Sequence, residues 1–144
     1  MKVLVDTSVW SAALRRSKGI RSPVTLELQA LVTEHRAELI GPIRQEILSG
    51  IREEAQFERL RKHLAAFPDF AIRTEDYVTA AQFFNRCRER GIQGSNTDFL
   101  ICAVAARNGL AVFTTDQDFL LYARHLPIAL HPLRDAEQPP SGRA

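Results

Sequence analysis

The 144-residue sequence predicts an α/β fold, a central parallel sheet of about five strands covered by helices. Two observations carry this. Short apolar runs alternate with longer stretches of helical spacing about five times along the chain. The runs are also continuous rather than alternating with polar residues, as in strands buried on both faces.

The first run, "KVLV" (2–5), ends in Asp6, and "DTS" is good helix-capping chemistry. Ser22 and Pro23 then open a helix with a hydroxyl cap and a proline where a missing N–H costs nothing. Its apolar residues Val24, Leu28 and Leu31 keep helical spacing. "ELI" (38–40), followed by Gly41 and Pro42, reads as a second strand turning directly into a helix over 43–49. A further helical pattern fills about 53–66, and "FAI" (70–72) is the third strand.

Thr74 is placed to cap the next helix, with Glu75 and Asp76 favourable at its positive end, and Gly91 stops it. Another helix opens near Asn96 and ends at Asn108 and Gly109. "LAVF" (110–113) is the fourth strand, "FLLYARHL" (119–126) a helix and "IALH" (128–131) a short last strand. No internal repeat is visible. The chain reads as one domain over 1–133, followed by a polar tail over 134–144, "RDAEQPPSGRA", expected to be disordered.

Composition narrows the class. Apolar residues make up 45% and charged residues 25%, the balance of a soluble globular domain. The longest uncharged apolar run, "FLICAVAA" (99–106), is far too short for a hydrocarbon layer of about 30 Å. Asp6 interrupts the first apolar run, so no secretory leader is expected, and the predicted setting is the cytoplasm, with no membrane partner. Cys102 reads as a small buried hydrophobe; Cys87 stands between Arg86 and Arg88, which would lower its thiol pKa, but has no catalytic partner in sequence. Two cysteines are too few for a thiolate metal site. None of the four histidines has metal-ligand spacing; His35, His63, His125 and His131 read as surface or strand-edge residues. Net charge is +2, and the basic clusters at 15–21 and 86–90 read first as solvated faces.

The chemistry lies in the carboxylates. In an open parallel sheet, ligands bind beyond the carboxyl ends of the strands. Asp6 ends the first strand, Asp116 and Asp118 follow the fourth, Asp98 sits in the first turn of a mostly apolar helix, and Glu46 borders the stripe Ile43, Ile47, Ile51. Each acid taken alone also has a structural reading as a helix cap, a dipole partner or an exposed charge. Gathered in one crevice without matching lysines, they would repel strongly unless a cation intervened. An all-oxygen donor set suits magnesium or manganese better than zinc.

Four ordered blocks carry a resemblance. "VLVDTSVW" (3–10), "PIRQEILSGI" (42–51), "TDFLICAVA" (97–105) and "VFTTDQDF" (112–119) resemble the PIN-domain family, most closely its VapC toxins, ribonucleases of bacterial toxin–antitoxin pairs. The resemblance covers 1 to about 133 and implies a PIN-like α/β/α sandwich. It implies Asp6, Glu46, Asp98 and Asp116 as catalytic acids, with Asp118, Thr7 and Thr115 in support. Asp6, Asp98 and Asp116 are expected to hold Mg2+ or Mn2+, and Glu46 to orient water or bind a second ion. It further implies a structured RNA substrate such as transfer or ribosomal RNA, a VapB-type antitoxin, and a homodimer. Trp10, Phe83 and Phe84 could serve that dimer interface, with core packing the favoured role of each.

Rival readings fit less well. A haloacid-dehalogenase-type phosphatase needs an aspartate where Ser8 stands. A Toprim-type enzyme needs a glutamate ending the first strand, where Asp6 stands. A PIN-like scaffold that only binds RNA or a protein is the non-enzymatic alternative.

Overall fold

A computed structural model describes residues 1–15, without the Arg15 side chain, and 22–134. Most of the basic cluster at 15–21 and the tail from 135 onward lie outside the described residues. The elements are β1 (Val3–Val5), α1 (Thr7–Arg15), α2 (Pro23–Thr33), β2 (Ala37–Glu38), α3 (Gly41–Leu48), α4 (Glu54–Leu64), α5 (Thr74–Glu89), α6 (Asn96–Asn108), β3 (Ala111–Phe113) and α7 (Asp118–Ala123).

The sheet is parallel, in the order β2-β1-β3, with Val5 of β1 opposite Phe113 of β3. Val3, Leu4 and Val5 are all fully buried. Successive strand side chains point to opposite faces, so helices cover both.

The expectation of about five strands is corrected to three. Asp69, just ahead of "FAI", forms a single parallel bridge with Leu39, and "IALH" contributes another, Val112 with Leu130. Both segments do hydrogen-bond the sheet edge, Phe70 N–H to Leu39 and His131 N–H to Val112. Pro68 precedes the first, and Pro127 and Pro132 flank the second. Proline has no N–H to give, so these edges stop at one rung.

Helix α6 is the buried spine, with every residue from Phe99 to Ala105 inside. Ser95 caps its start and Gly109, at φ 68°, its end. Helix α5 runs antiparallel beside it. Near one end Asp76 binds Arg107; near the other the rings of Phe84 and Phe99 meet at 5.6 Å. The expected Thr74 cap is a further correction. Thr74 is already the first helical residue, and the carboxylate of Asp76 takes the Arg73 N–H at 2.9 Å. Asp76 is fully buried, and its other oxygen accepts from Arg107 at 2.7 Å.

Trp10 and Phe83 belong to the core, and Phe84 packs against it half-buried. Cys87 is fully buried; burial pushes its thiol up and outweighs Arg86, contrary to the lowering expected from its arginine neighbours.

The chain after the last bridge is strapped to α2. Buried Glu27 accepts from His131 Nε2 at 2.7 Å and from Arg134 Nε at 3.0 Å. Arg134, the first residue of the expected tail, also grips both oxygens of Glu34 at 2.6 and 2.7 Å. Arg134 and Arg36 hold the Glu34 carboxyl at about 2, against an ordinary 4.5. For Glu27, burial pushes upward, but His131 and Arg134 together outweigh it and hold the group low. A depressed carboxyl contributes stability that is complete above its unfolded pKa and vanishes as pH falls through the folded one. Arg134→Ala should therefore flatten the loss of stability between pH 4.5 and about 2, as read by denaturant unfolding at stepped pH.

Candidate active site

The parallel pairing of β1 and β3 sends Asp6 and Thr114 out of the sheet at the same edge. The Asp6 N–H continues the ladder to the Phe113 carbonyl at 2.9 Å. Two hydroxyls then stitch the exits together. Thr114 Oγ1 donates to Asp6 Oδ2 at 2.8 Å and accepts the Asp116 N–H at 2.9 Å. Ser8 Oγ donates to the same Asp6 oxygen at 2.8 Å and accepts the Thr115 N–H at 3.1 Å. Asp6 is only 6% exposed, and among the described residues its carboxylate takes no backbone N–H. Its own capping reading is thus not what the structure uses.

Asp98 arrives from α6. Ser95, not Asp98, caps that helix, accepting the Asp98 N–H at 3.0 Å. The half-buried Asp98 carboxylate accepts instead from the Tyr122 phenol of α7 at 2.7 Å. Burial pushes its pKa up; the Tyr122 bond opposes this, and the charges of Asp6 and Asp116 push further upward. Three acids far apart in sequence therefore share one electrostatic neighbourhood.

Glu46 is exposed on α3, and its Oε1 accepts from Thr7 Oγ1 at 2.5 Å. Asp116 is exposed and lies one residue ahead of the N-cap position of α7, Gln117; its Oδ1 takes the Asp118 N–H at 2.9 Å. Asp118 is exposed, and among the described residues its carboxylate enters no hydrogen bond or ion pair. Thr115 meets the rim through its backbone N–H to Ser8 rather than through its hydroxyl. Ser8 and Tyr122 were not picked out from sequence as site residues. The only local hint for Tyr122 was a phenol one helical turn after Asp118.

Asp6, Glu46, Asp98 and Asp116 share a pattern. Each has one oxygen held by a donor, and among the described residues each has a second with no hydrogen bond. No described ion pair involves any of them; the arginines bind other acids. No three described His, Cys, Asp or Glu side chains are drawn together tightly enough to grip a metal as they stand. The donor chemistry nevertheless fits a hard divalent cation: all oxygen, net negative, with one oxygen of each acid free of a hydrogen bond among the described residues.

Comparison with known proteins agrees on the fold. The PIN domain profile matches residues 3–125. A VapC ribonuclease of Mycobacterium bovis is 30% identical over 126 residues, covering 85% of this chain and 92% of the relative. Ribonuclease VapC11 of Mycobacterium tuberculosis matches to the same extent. Among solved structures, FitAcB from Neisseria gonorrhoeae superposes with a TM-score of 0.72 at 20% identity, over 90% of this chain and 96% of that one. VapBC2 from Rickettsia felis, bound to a promoter DNA fragment, gives 0.71 at 14%, over 91% and 98%. At such identities the structural likeness speaks for the fold alone. No described helix is long and apolar enough to cross a membrane.

Proposed function

The chain belongs to the PIN-domain family, and on that premise we propose that it is an endoribonuclease, the toxin of a type II toxin–antitoxin pair. What supports this reading is that Asp6 of the β1 exit and Asp116 of the β3–α7 turn both act electrostatically on Asp98 of α6, the two strand exits being joined through Thr114, with no described cation paired to any of the three. The 30% identical VapC ribonucleases support the same reading.

Asp6, Asp98 and Asp116 are the residues that would hold Mg2+ or Mn2+, through the oxygens their hydrogen bonds leave open. The ion, when bound, supplies a Lewis acid that polarises a phosphoryl oxygen and acidifies a water. The chain's own residues do the rest. Ser8 and Thr114 fix the Asp6 carboxylate and lock both strand exits in register. Glu46, steadied by Thr7, reaches toward the attacking water with its unbonded oxygen and takes its proton. Asp118 adds negative charge at the mouth of the rim. The water oxygen bonds to phosphorus as the bond to the 3′-oxygen breaks, and the departing 3′-oxygen takes a proton from solvent water, leaving a 5′-phosphate and a 3′-hydroxyl.

The substrate class is structured RNA, with transfer or ribosomal RNA the leading candidates, met in the cytoplasm. A VapB-type antitoxin would silence the rim by bringing a basic side chain to carboxylates that have none among the described residues. We further propose a homodimer as the working form.

The test is direct. Antitoxin-free protein should cut structured RNA in magnesium or manganese, and chelator should abolish cutting. End analysis should find 5′-phosphates; 2′,3′-cyclic phosphates would mean that the RNA's own 2′-hydroxyl attacks and would overturn the water-attack scheme.

A further inference from the structure

The proposed rim leaves one buried polar group unexplained, the phenol of Tyr122. Its side chain is fully buried, with ring centroids 5.0 Å from Phe99 and 5.0 Å from Phe119. A tyrosine in such a place needs a partner for its hydroxyl, and a phenylalanine would avoid the problem. The hydroxyl instead passes over Gly94 and ends on Asp98 Oδ2 at 2.7 Å. The passage is tight: a Cβ on residue 94 would overlap the phenol oxygen and lie 2.9 Å from Phe99 Cε2. Glycine is required there by space.

Helix α7 thus holds two rim acids at once. Asp116 is tied to its first turn through the Asp118 N–H, and Tyr122, one turn further on, is tied to Asp98. The two bonds set the separation of those carboxylates through one short rigid element.

We infer that Tyr122 is a positioning residue of the acid rim: seated over Gly94, its hydroxyl holds Oδ2 of Asp98 and turns Oδ1 alone toward the divalent cation. This rests on the proposed metal-dependent function. Outer partners of metal ligands fix ligand orientation, and their loss costs about 10- to 100-fold in metal affinity or activity.

The experiment is manganese binding to the full-length, antitoxin-free protein, by calorimetry or by loss of the free-ion paramagnetic resonance signal. Tyr122→Phe keeps the ring and its packing and removes only the bond, so affinity should fall about 10- to 100-fold while metal-free unfolding stays cooperative. Gly94→Ala keeps the tyrosine but takes its seat, and should weaken manganese in the same direction. In an Asp98→Asn background, Tyr122→Phe should weaken manganese no further. Unchanged or tighter manganese binding in Tyr122→Phe overturns the inference. If wild type binds and cuts while both variants match it, this inference alone fails. If wild type takes up no manganese, the functional reading falls with it.

Discussion

Asp98→Asn should abolish RNA cleavage while raising the melting temperature of the metal-free protein. The two effects share one cause. Burial and the charges of Asp6 and Asp116 lift the Asp98 pKa in the folded chain above its ordinary 3.8. A carboxyl whose folded pKa is raised binds its proton more readily when native, so stability falls as pH climbs from the unfolded toward the folded value. Above that interval the cost is complete, and at neutral pH the native state carries it in full. Asparagine keeps the shape and can still accept from Tyr122, but removes the charge. Activity should drop by at least the roughly 100-fold that losing a mere outer partner costs, because here a proposed ligand is lost. Thermal melts at pH 7 and at pH 4 check the stability half. The gain should shrink at the lower pH, where wild-type Asp98 protonates. A variant less stable than wild type at pH 7 would show that the rim is not electrostatically strained.

Asp76→Ala should be the costliest single change in the scaffold. Asp76 is fully buried, closes the first turn of α5 by taking the Arg73 N–H, and pairs with Arg107 across to α6. Truncation strands the Arg107 charge and an N-terminal amide together. Breaking a buried pair from one side costs about 3–5 kcal/mol; the partial exposure of Arg107 brings the expectation to about 3 kcal/mol. For a chain of this length that is a fall of roughly 10 °C in Tm. Cleavage per folded molecule should survive, since Asp76 lies at the end of α6 opposite Asp98. Equal loss of specific activity and stability would contradict that separation.

These two aspartates mark where reading a sequence succeeds and where it stops. Asp98 and Asp76 look alike in the chain, each an acid in the first turn of a helix, and the dipole reading suits both. Asp98 stood out because an apolar helix follows it and because it joins an ordered set with Asp6, Glu46 and Asp116. Asp76 reads as an ordinary first-turn charge, since its partner Arg107 is 31 residues away and belongs to another helix. Ser8 reads as capping chemistry until Thr114 comes beside it from 106 residues further on. The edge strands failed for a different reason: "FAI" and "IALH" have strand composition, but neighbouring prolines limit how many rungs they form.

What the sequence alone determined is what local chemistry dictates: continuous apolar runs that must be buried on both faces, helix starts and stops, and the acids stationed where strands end. Those signals act over a few residues and survive without a partner. The tertiary structure alone decided which oxygen of each acid is held and which stays open. It also set the phenol of Tyr122 over Gly94 onto Asp98, and closed the Glu27–Arg134 strap. Such bonds join groups tens of residues apart, and their geometry exists only after the chain has packed.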